Sequence, residues 1–137
     1  MNKSKIEISA PSKNSAVVYL KKWLKKQLLN KIVSYLNKFS SELDIKYNSV
    51  FIRTQKTKWA SCSSRSNLSF NIKIASLPEE LIEYAVLHEA VHLKEDKHNK
   101  NFWKIVKAQY PDYKEKESLL AGFWFLIKRN GSLIRGI

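Results

Sequence analysis

The stretch from Ser76 to His92 constrains the fold most, because it joins a helix start to an apolar segment that carries two histidines spaced by four residues. Ser76 and Glu79 have the spacing of a capping box, and Pro78 suits a first helical turn. The segment LIEYAVL is apolar on the side that carries His88 and His92. The pattern predicts a helix packed on a core, with both imidazoles on one face.

These two histidines, together with Glu89, form the HExxH arrangement of zinc hydrolases. On a helix, His88 and His92 project toward a common point, where they can ligate one zinc ion per chain. Glu89 lies on the adjoining face, where its carboxylate can take a proton from the attacking water instead of binding the metal. The sequence therefore predicts a zinc-dependent hydrolase with Glu89 as general base.

A catalytic zinc usually takes three protein ligands, and His98 is the first candidate for the third. A continuous helix would rotate His98 away from the metal, so the helix must end within the segment KEDK. Asn99 is a plausible N-cap for a following helix, KNFWKIVKAQY, which would hold His98 at a junction. Glu115 and Glu117 remain the alternative, as a ligand from a later helix.

The remaining patterns predict an α+β fold in one domain, residues 1–137. Residues 15–39 have apolar side chains every four positions, which predicts a long amphipathic helix. The segments SVFIRT, KWASC and NLSFNIKI predict three strands, the last two as a hairpin, with NLSFNIKI as the upper rim of the cleft. Residues 1–14 are expected to be a loose arm or, at IEI, an edge strand, and residues 121–137 to be an extension.

The charge of the chain predicts its partners. It has 25 Lys and Arg against 12 Asp and Glu, a net charge of +13, which attracts polyanions or acidic proteins. On the first predicted helix a basic ridge lies off the apolar stripe, formed by Lys21, Lys22, Lys25 and Lys26. This basic ridge either binds nucleic acid weakly or is a solvated face, and the charge can also serve heat stability.

Other features bear on the location of the chain. The apolar run LLAGFWFLI is shorter than the roughly 18 residues of a membrane-spanning helix, and the start has no secretory signal pattern. The single cysteine, Cys62, excludes an intrachain disulfide. It is interpreted as core packing, with a redox or metal-shielding role as the alternative. We expect a cytoplasmic monomer without membrane contact.

Three segments, TQKTKWASC, LPEELIEYAVLHEAVHLKEDKHNKNFW and PDYKE, resemble the YgjP-like metal-dependent hydrolases, which are relatives of SprT-like peptidases and minimal zincins. The resemblance covers about residues 17–120. It implies a minimal zincin-like fold, with a long N-terminal helix, a small three-stranded sheet, the HExxH helix and C-terminal helices. It also implies three histidine ligands and Glu89 as catalytic base. The chain departs from the family pattern at Lys58, Ala60, Lys97 and Asn99.

Three functions are compatible with these observations. The first is a zinc metallopeptidase that acts on peptides or unfolded proteins, with the substrate paired to the rim strand. The second, implied by family members labelled nucleotide pyrophosphatases, is hydrolysis of nucleoside triphosphates such as UTP, with Arg53, Lys56 and Lys58 as phosphate contacts. The third, implied by SprT-like relatives, is a DNA-associated protease or nucleic-acid-binding module that uses the basic ridge.

Overall fold

The computed structural model describes residues 13–55 and 58–130. The predicted edge strand at IEI, Lys56 and the end of the predicted extension lie outside the described residues. The element order is α1 (Lys13–Leu43), β1 (Ser49–Arg53), β2 (Ala60–Cys62), β3 (Asn67–Asn71), a 3₁₀ helix (Ile72–Ser76), α2 (Glu79–His92), α3 (Lys100–Gln109) and α4 (Tyr113–Asn130). The predicted α+β fold class is confirmed.

The sheet has the order β1-β3-β2, with β1 parallel and β2 antiparallel to β3. The predicted hairpin of β2 and β3 is therefore confirmed. The prediction that NLSFNIKI forms the rim of the cleft is wrong, because β3 is the central strand and both of its edges are paired. The strand is also shorter than predicted, since the side chain of Asn71 accepts a hydrogen bond from the backbone of Lys73 and starts the 3₁₀ helix.

Helix α1 packs against α2 and β1 through the C-terminal part of its apolar stripe. Leu28, Ile32, Leu36 and Phe39 are buried, whereas Leu20 is 43% exposed. The helix continues beyond the predicted residue 39 and ends where Asp44 adopts a positive φ of 53°, a conformation that aspartate tolerates better than most residues.

Helix α2 is the most buried element of the fold and lies between α1, the sheet, α3 and α4. The predicted capping box is wrong, because the N-cap is Pro78 and no side chain caps the helix. Glu79 instead contacts α1, where it accepts hydrogen bonds from Lys31 and Tyr35. Among the described helices, none is long and apolar enough to cross a membrane.

Candidate metal centre

The loop between α2 and α3 returns the chain to the face of α2 that carries the two histidines. The Glu95 carboxylate accepts a hydrogen bond of 3.1 Å from the side-chain amide of Asn99. The side chain of Asn99 accepts a bond of 2.9 Å from the backbone N–H of Phe102, so its predicted role as N-cap of α3 is confirmed. Helix α2 ends at His92, earlier than its predicted end within the segment KEDK, and His98 lies opposite the pair on α2.

The three histidines meet at their Nε2 atoms. Nε2 of His98 lies 3.1 Å from Nε2 of His88 and 3.1 Å from Nε2 of His92. The opposite ring nitrogens face acceptors: Nδ1 of His88 donates to the Glu117 carboxylate at 2.8 Å, and Nδ1 of His92 donates to the backbone oxygen of Glu95 at 3.1 Å. In the neutral form of each ring the proton is therefore on Nδ1, and the lone pair of Nε2 faces the meeting point of the three rings.

This arrangement fits a metal ion. Unprotonated nitrogens at such short separation repel one another unless a cation lies between them, and imidazole is a common ligand of zinc and related metals. Burial lowers the pKa of both His92 and His98, which favours the neutral, ligating form of each ring.

Glu117 lies behind His88 rather than beside the three Nε2 atoms. Its Oε2 accepts hydrogen bonds from His88 and from the hydroxyl of Tyr84. Burial alone would raise the pKa of Glu117, but the bonds from His88 and Tyr84 outweigh it and hold that pKa below its usual range. Such a carboxylate fixes the orientation and tautomer of a ligating histidine. Glu115, the other alternative ligand, is exposed.

Aromatic residues of α3 pack against the imidazole rings of the three histidines. The Phe102 ring is fully buried, with its centroid 5.1, 4.6 and 4.8 Å from those of His88, His92 and His98. Trp103 stacks on His98 at 5.7 Å. Sequence reasoning gave these aromatics no role, although the pair FW four and five residues after His98 could have indicated it, since it places both rings in the first turns of α3.

Glu89 is buried in the cleft beside the histidines. Burial raises the pKa of Glu89 to about 7, against the opposing attraction of His88 and Lys58. The cleft around it has a volume of about 280 Å³, and its other walls come from residues 58–62, which include β2, and from the loop after α2; they include Lys58, Ser61, Cys62 and Asp96. Burial, then the charges of Glu89 and Asp96, raise the pKa of the Cys62 thiol to about 11, so at neutral pH it is a protonated thiol.

The residues predicted to contact phosphate do not lie together in the structure. Lys58 lines the cleft, whereas Arg53 lies in a different groove with Lys25 and Lys26. There the guanidinium of Arg53 donates to Ser69 and lies 4.8 Å from the ring centroid of Phe51. Lys56 lies outside the described residues. The structure thus brings Arg53 to the basic ridge and not to the metal centre.

The basic ridge lies on the N-terminal half of α1. Lys22 and Lys26 are exposed, and Lys21 and Lys25 are half-buried. Between residues that the structure describes, the ion pairs involve other lysines, namely Lys31, Lys38 and Lys116.

An α+β fold with a buried HExxH helix, a third imidazole returned to it and a glutamate in the cleft defines the class of metallopeptidases. The profile of the family described as "YgjP-like, metallopeptidase domain" matches residues 2–122, and the chain belongs to this family. It is a metal-dependent hydrolase of the peptidase class.

Two solved structures are similar. The metallopeptidase zymogen of Pyrococcus abyssi abylysin has a TM-score of 0.60 and 26% sequence identity, over 65% of this chain and 90% of that chain. The metallopeptidase zymogen of Methanocaldococcus jannaschii jannalysin has a TM-score of 0.56 and 26% identity, over 66% of this chain and 94% of that chain. A comparison with curated proteins finds no match.

Proposed function

We propose that this metallopeptidase uses zinc, held by His88, His92 and His98, and cleaves peptide bonds with Glu89 as general base. The proposal rests on the convergence of the three Nε2 atoms. That of His98 lies 3.1 Å from that of His88 and 3.1 Å from that of His92. Neutral imidazoles suit Zn²⁺ better than the hard cations, which prefer oxygen. When bound, zinc supplies polarisation of the scissile carbonyl and makes water more acidic.

Glu89 performs the proton transfers. Its carboxylate accepts a proton from the water that attacks the scissile carbonyl, and the same proton then passes to the nitrogen of the leaving amine. The residue ends the cycle as it began. A pKa of about 7 suits both steps, because the group then accepts and donates a proton at neutral pH with similar ease.

Among the described residues, no strand pairs with the outer edge of β2, and this edge offers a path for the substrate. Backbone bonds from Asn71 to Trp59 and from Ser63 to Asn67 direct residues 59, 61 and 63 toward β3. By the alternation of an antiparallel ladder, the backbone groups of Ala60 and Cys62 face the other way, along the cleft that β2 lines. An extended peptide can pair with these groups and lie across Glu89.

The test combines metal analysis with hydrolysis assays on the purified protein. We expect about one zinc per chain and cleavage of a denatured protein but not of its folded form. Glu89→Gln should retain zinc and lose roughly 10² to 10⁴-fold in cleavage rate, because it removes the proton acceptor and no ligand. Glu115→Gln, at an exposed position, is the matched control and should cleave normally. Full activity in Glu89→Gln, or loss of its zinc, would contradict the proposal.

Hydrolysis of nucleoside triphosphates is the competing activity at the same centre. The position of Lys58 in the cleft favours it, because an ammonium there can contact a phosphate while water is activated. The same assay with nucleoside triphosphates separates the two. Phosphate release that depends on Glu89, without peptide cleavage, would replace the peptidase assignment.

Weak nucleic-acid binding is a second candidate function, in a separate place. Its support is the groove of about 430 Å³ in which Arg53 joins Lys25 and Lys26 beside Phe51, a ring that is 40% exposed. Cations that track a phosphate backbone, next to an exposed aromatic ring, suit a single strand with unstacked bases.

A further inference from the structure

The N-terminal half of α1 leaves large apolar side chains uncovered. The buried residues of this helix begin at Leu28, and residues 14–27 include no buried side chain. At about 1.5 Å per residue, this segment is roughly 20 Å long. Large apolar side chains of the segment are 39–53% exposed, namely those of Val17, Val18, Tyr19, Leu20 and Trp23. Contacts within the described part of the chain therefore do not account for them.

The apolar and basic side chains of this segment lie on opposite faces of the helix. At about 100° per residue, residues 16–26 place only apolar side chains in one arc of about 160°. This apolar arc consists of Ala16, Val17, Tyr19, Leu20, Trp23 and Leu24. The opposite arc of about 140° holds the whole basic ridge together with Val18. The segment is therefore a basic amphipathic helix.

The apolar arc is not a continuation of the face that packs on the core. The buried residues of α1 are Leu28, Ile32, Leu36 and Phe39. The centre of the apolar arc lies about 135° around the helix from the centre of these four positions. The arc thus faces away from the core, and a partner can reach it.

We propose that this segment is an interfacial helix that docks the protein on an anionic lipid surface. A helix with Trp and Leu on one face and lysines on the other lies in the plane of a bilayer surface, with its apolar face between the headgroups and the acyl chains. The rings of Tyr19 and Trp23 suit that depth, because each has an apolar body and a polar tip. Lys21 and Lys26 border the apolar arc, where their long stems can extend the ammonium groups to lipid phosphates.

The charge of the protein selects an anionic surface over a neutral one. The chain carries a net charge of +13, and between residues that the structure describes no ion pair neutralises a lysine of the basic ridge. Each lysine near an anionic surface strengthens binding by roughly 5-fold. A nucleic acid would contact the lysines but leave the apolar arc in water, and a second copy would bring two basic ridges together. A lipid surface matches both faces of the segment.

Docking on a surface differs from crossing a membrane. None of the described helices is long and apolar enough to cross one. An interfacial helix does not need the long apolar run that crossing requires. The expectation of no membrane contact rested on the absence of such a run, and the proposed docking replaces that expectation.

Co-sedimentation of the protein with lipid vesicles tests the docking. Vesicles of phosphatidylglycerol and phosphatidylcholine in equal parts should bind at low salt at least about 10-fold more tightly than vesicles of phosphatidylcholine alone. Leu20→Ser with Trp23→Ser should weaken binding to the anionic vesicles by roughly 10-fold or more, because apolar area is lost at constant charge. Leu119→Ser with Phe125→Ser is the matched control, since it removes similarly exposed side chains from α4, and it should bind as the unchanged protein does. Circular dichroism checks that both double variants keep the fold.

Quenching of tryptophan fluorescence separates insertion from attraction by charge alone. Lipids brominated along their acyl chains should quench part of the fluorescence of the bound protein. Trp23→Phe should remove this quenching while the affinity for the vesicles stays within about 5-fold, because the arc keeps an aromatic ring.

Three results would overturn the docking. The first is equal binding of the two double variants to anionic vesicles, or binding without quenching of Trp23. The second is binding of single-stranded DNA without binding of vesicles, which would assign the segment to nucleic acid. The third is a dimer, seen by sedimentation velocity in a protein that binds no vesicles, that Leu20→Ser with Trp23→Ser dissociates; it would assign the apolar arc to a second copy.

Discussion

Helices α1 and α2 both carry polar side chains spaced by four residues, and yet they form surfaces of opposite kinds. On α2 the pair is His88 and His92, in a helix whose other faces are buried against four elements. On α1 the spacing recurs from Lys21 to Lys25 and from Lys22 to Lys26, in a half of the helix that is mostly exposed. Regular spacing alone places side chains on one face, but it does not fix where their polar atoms point.

The difference comes from the second contact of each side chain. Nδ1 of His88 is hydrogen-bonded to Glu117, and Nδ1 of His92 is hydrogen-bonded to the backbone oxygen of Glu95. Both rings also pack near Phe102. The lysines of the basic ridge have flexible stems and lie near water, so each ammonium group attracts anions without being held at one fixed position. A substitution among the three histidines should therefore have a large effect on metal binding. A substitution on the basic ridge should have a smaller effect on nucleic-acid binding, because several other cations remain.

The largest effect is expected from His98→Ala. Removal of one of the three proposed ligands should weaken zinc binding by more than about 100-fold, beyond what the loss of an outer contact costs. The fold should persist, because the His98 side chain is exposed and the apolar core does not include it. Competition with a chromogenic chelator measures the affinity, and circular dichroism of the metal-free protein measures the fold.

The neighbouring Lys97→Ala serves as control for His98→Ala, since it shortens an exposed side chain of the same loop. It should bind zinc as the unchanged protein does. If His98→Ala kept its zinc while Glu117→Ala lost it completely, a glutamate would be the third ligand, and the comparison of a three-histidine centre with the ridge would fail.

Glu117→Gln should have the next largest effect. The sequence offered Glu117 only as an alternative ligand, whereas in the structure its carboxylate accepts a hydrogen bond from His88. A neutral amide supports the imidazole less, so zinc affinity should fall by roughly 10 to 100-fold. Glu115→Gln, two residues away and exposed, should leave the affinity unchanged. Equal zinc affinities in the two variants would show that zinc binding does not depend on the hydrogen bond between His88 and Glu117.

The same contrast explains what the sequence could predict. The long first helix, the hairpin, the break between α2 and His98 and the N-cap Asn99 all follow from periodicity and local caps, which act within a few residues. The position of β3 in the sheet and the partner of Glu79 depend on which elements meet in space. The contact of Glu117 with His88 spans 29 positions of the chain, and no local pattern encodes it.

A smaller effect is expected when Lys25 and Lys26 are both changed to Glu. Binding of single-stranded DNA at low salt should weaken several-fold, and the slope of log K against log salt should fall by roughly 1.4, because each lost phosphate contact removes about 0.7 for a single strand. Fluorescence anisotropy at several salt concentrations measures both quantities. Lys104→Glu with Lys107→Glu, both exposed on α3, gives the same change of net charge. An equal loss in both double variants would show that only overall charge matters and that the ridge is a solvated face.

The smallest effect is expected at the exposed ion pair that joins the two helices, where Nζ of Lys31 lies 2.8 Å from Oε1 of Glu79. The hydrogen bond from Lys31, followed by that from Tyr35, lowers the pKa of Glu79. A carboxyl whose pKa is lower in the folded state stabilises the protein above its unfolded pKa, and this contribution is lost as pH falls through the folded pKa. Both side chains are about half exposed, so the contribution should be below about 1 kcal/mol.

Urea unfolding of the metal-free protein at about pH 6 and about pH 3.5 measures this contribution. The variants Glu79→Gln and Lys31→Met and the double variant form a double-mutant cycle, which removes the effect of the titration of other carboxyls. The coupling between the two residues should be larger at the higher pH than at the lower one. A coupling of the same size at both pH values would mean that the α1–α2 contact depends on packing and not on charge.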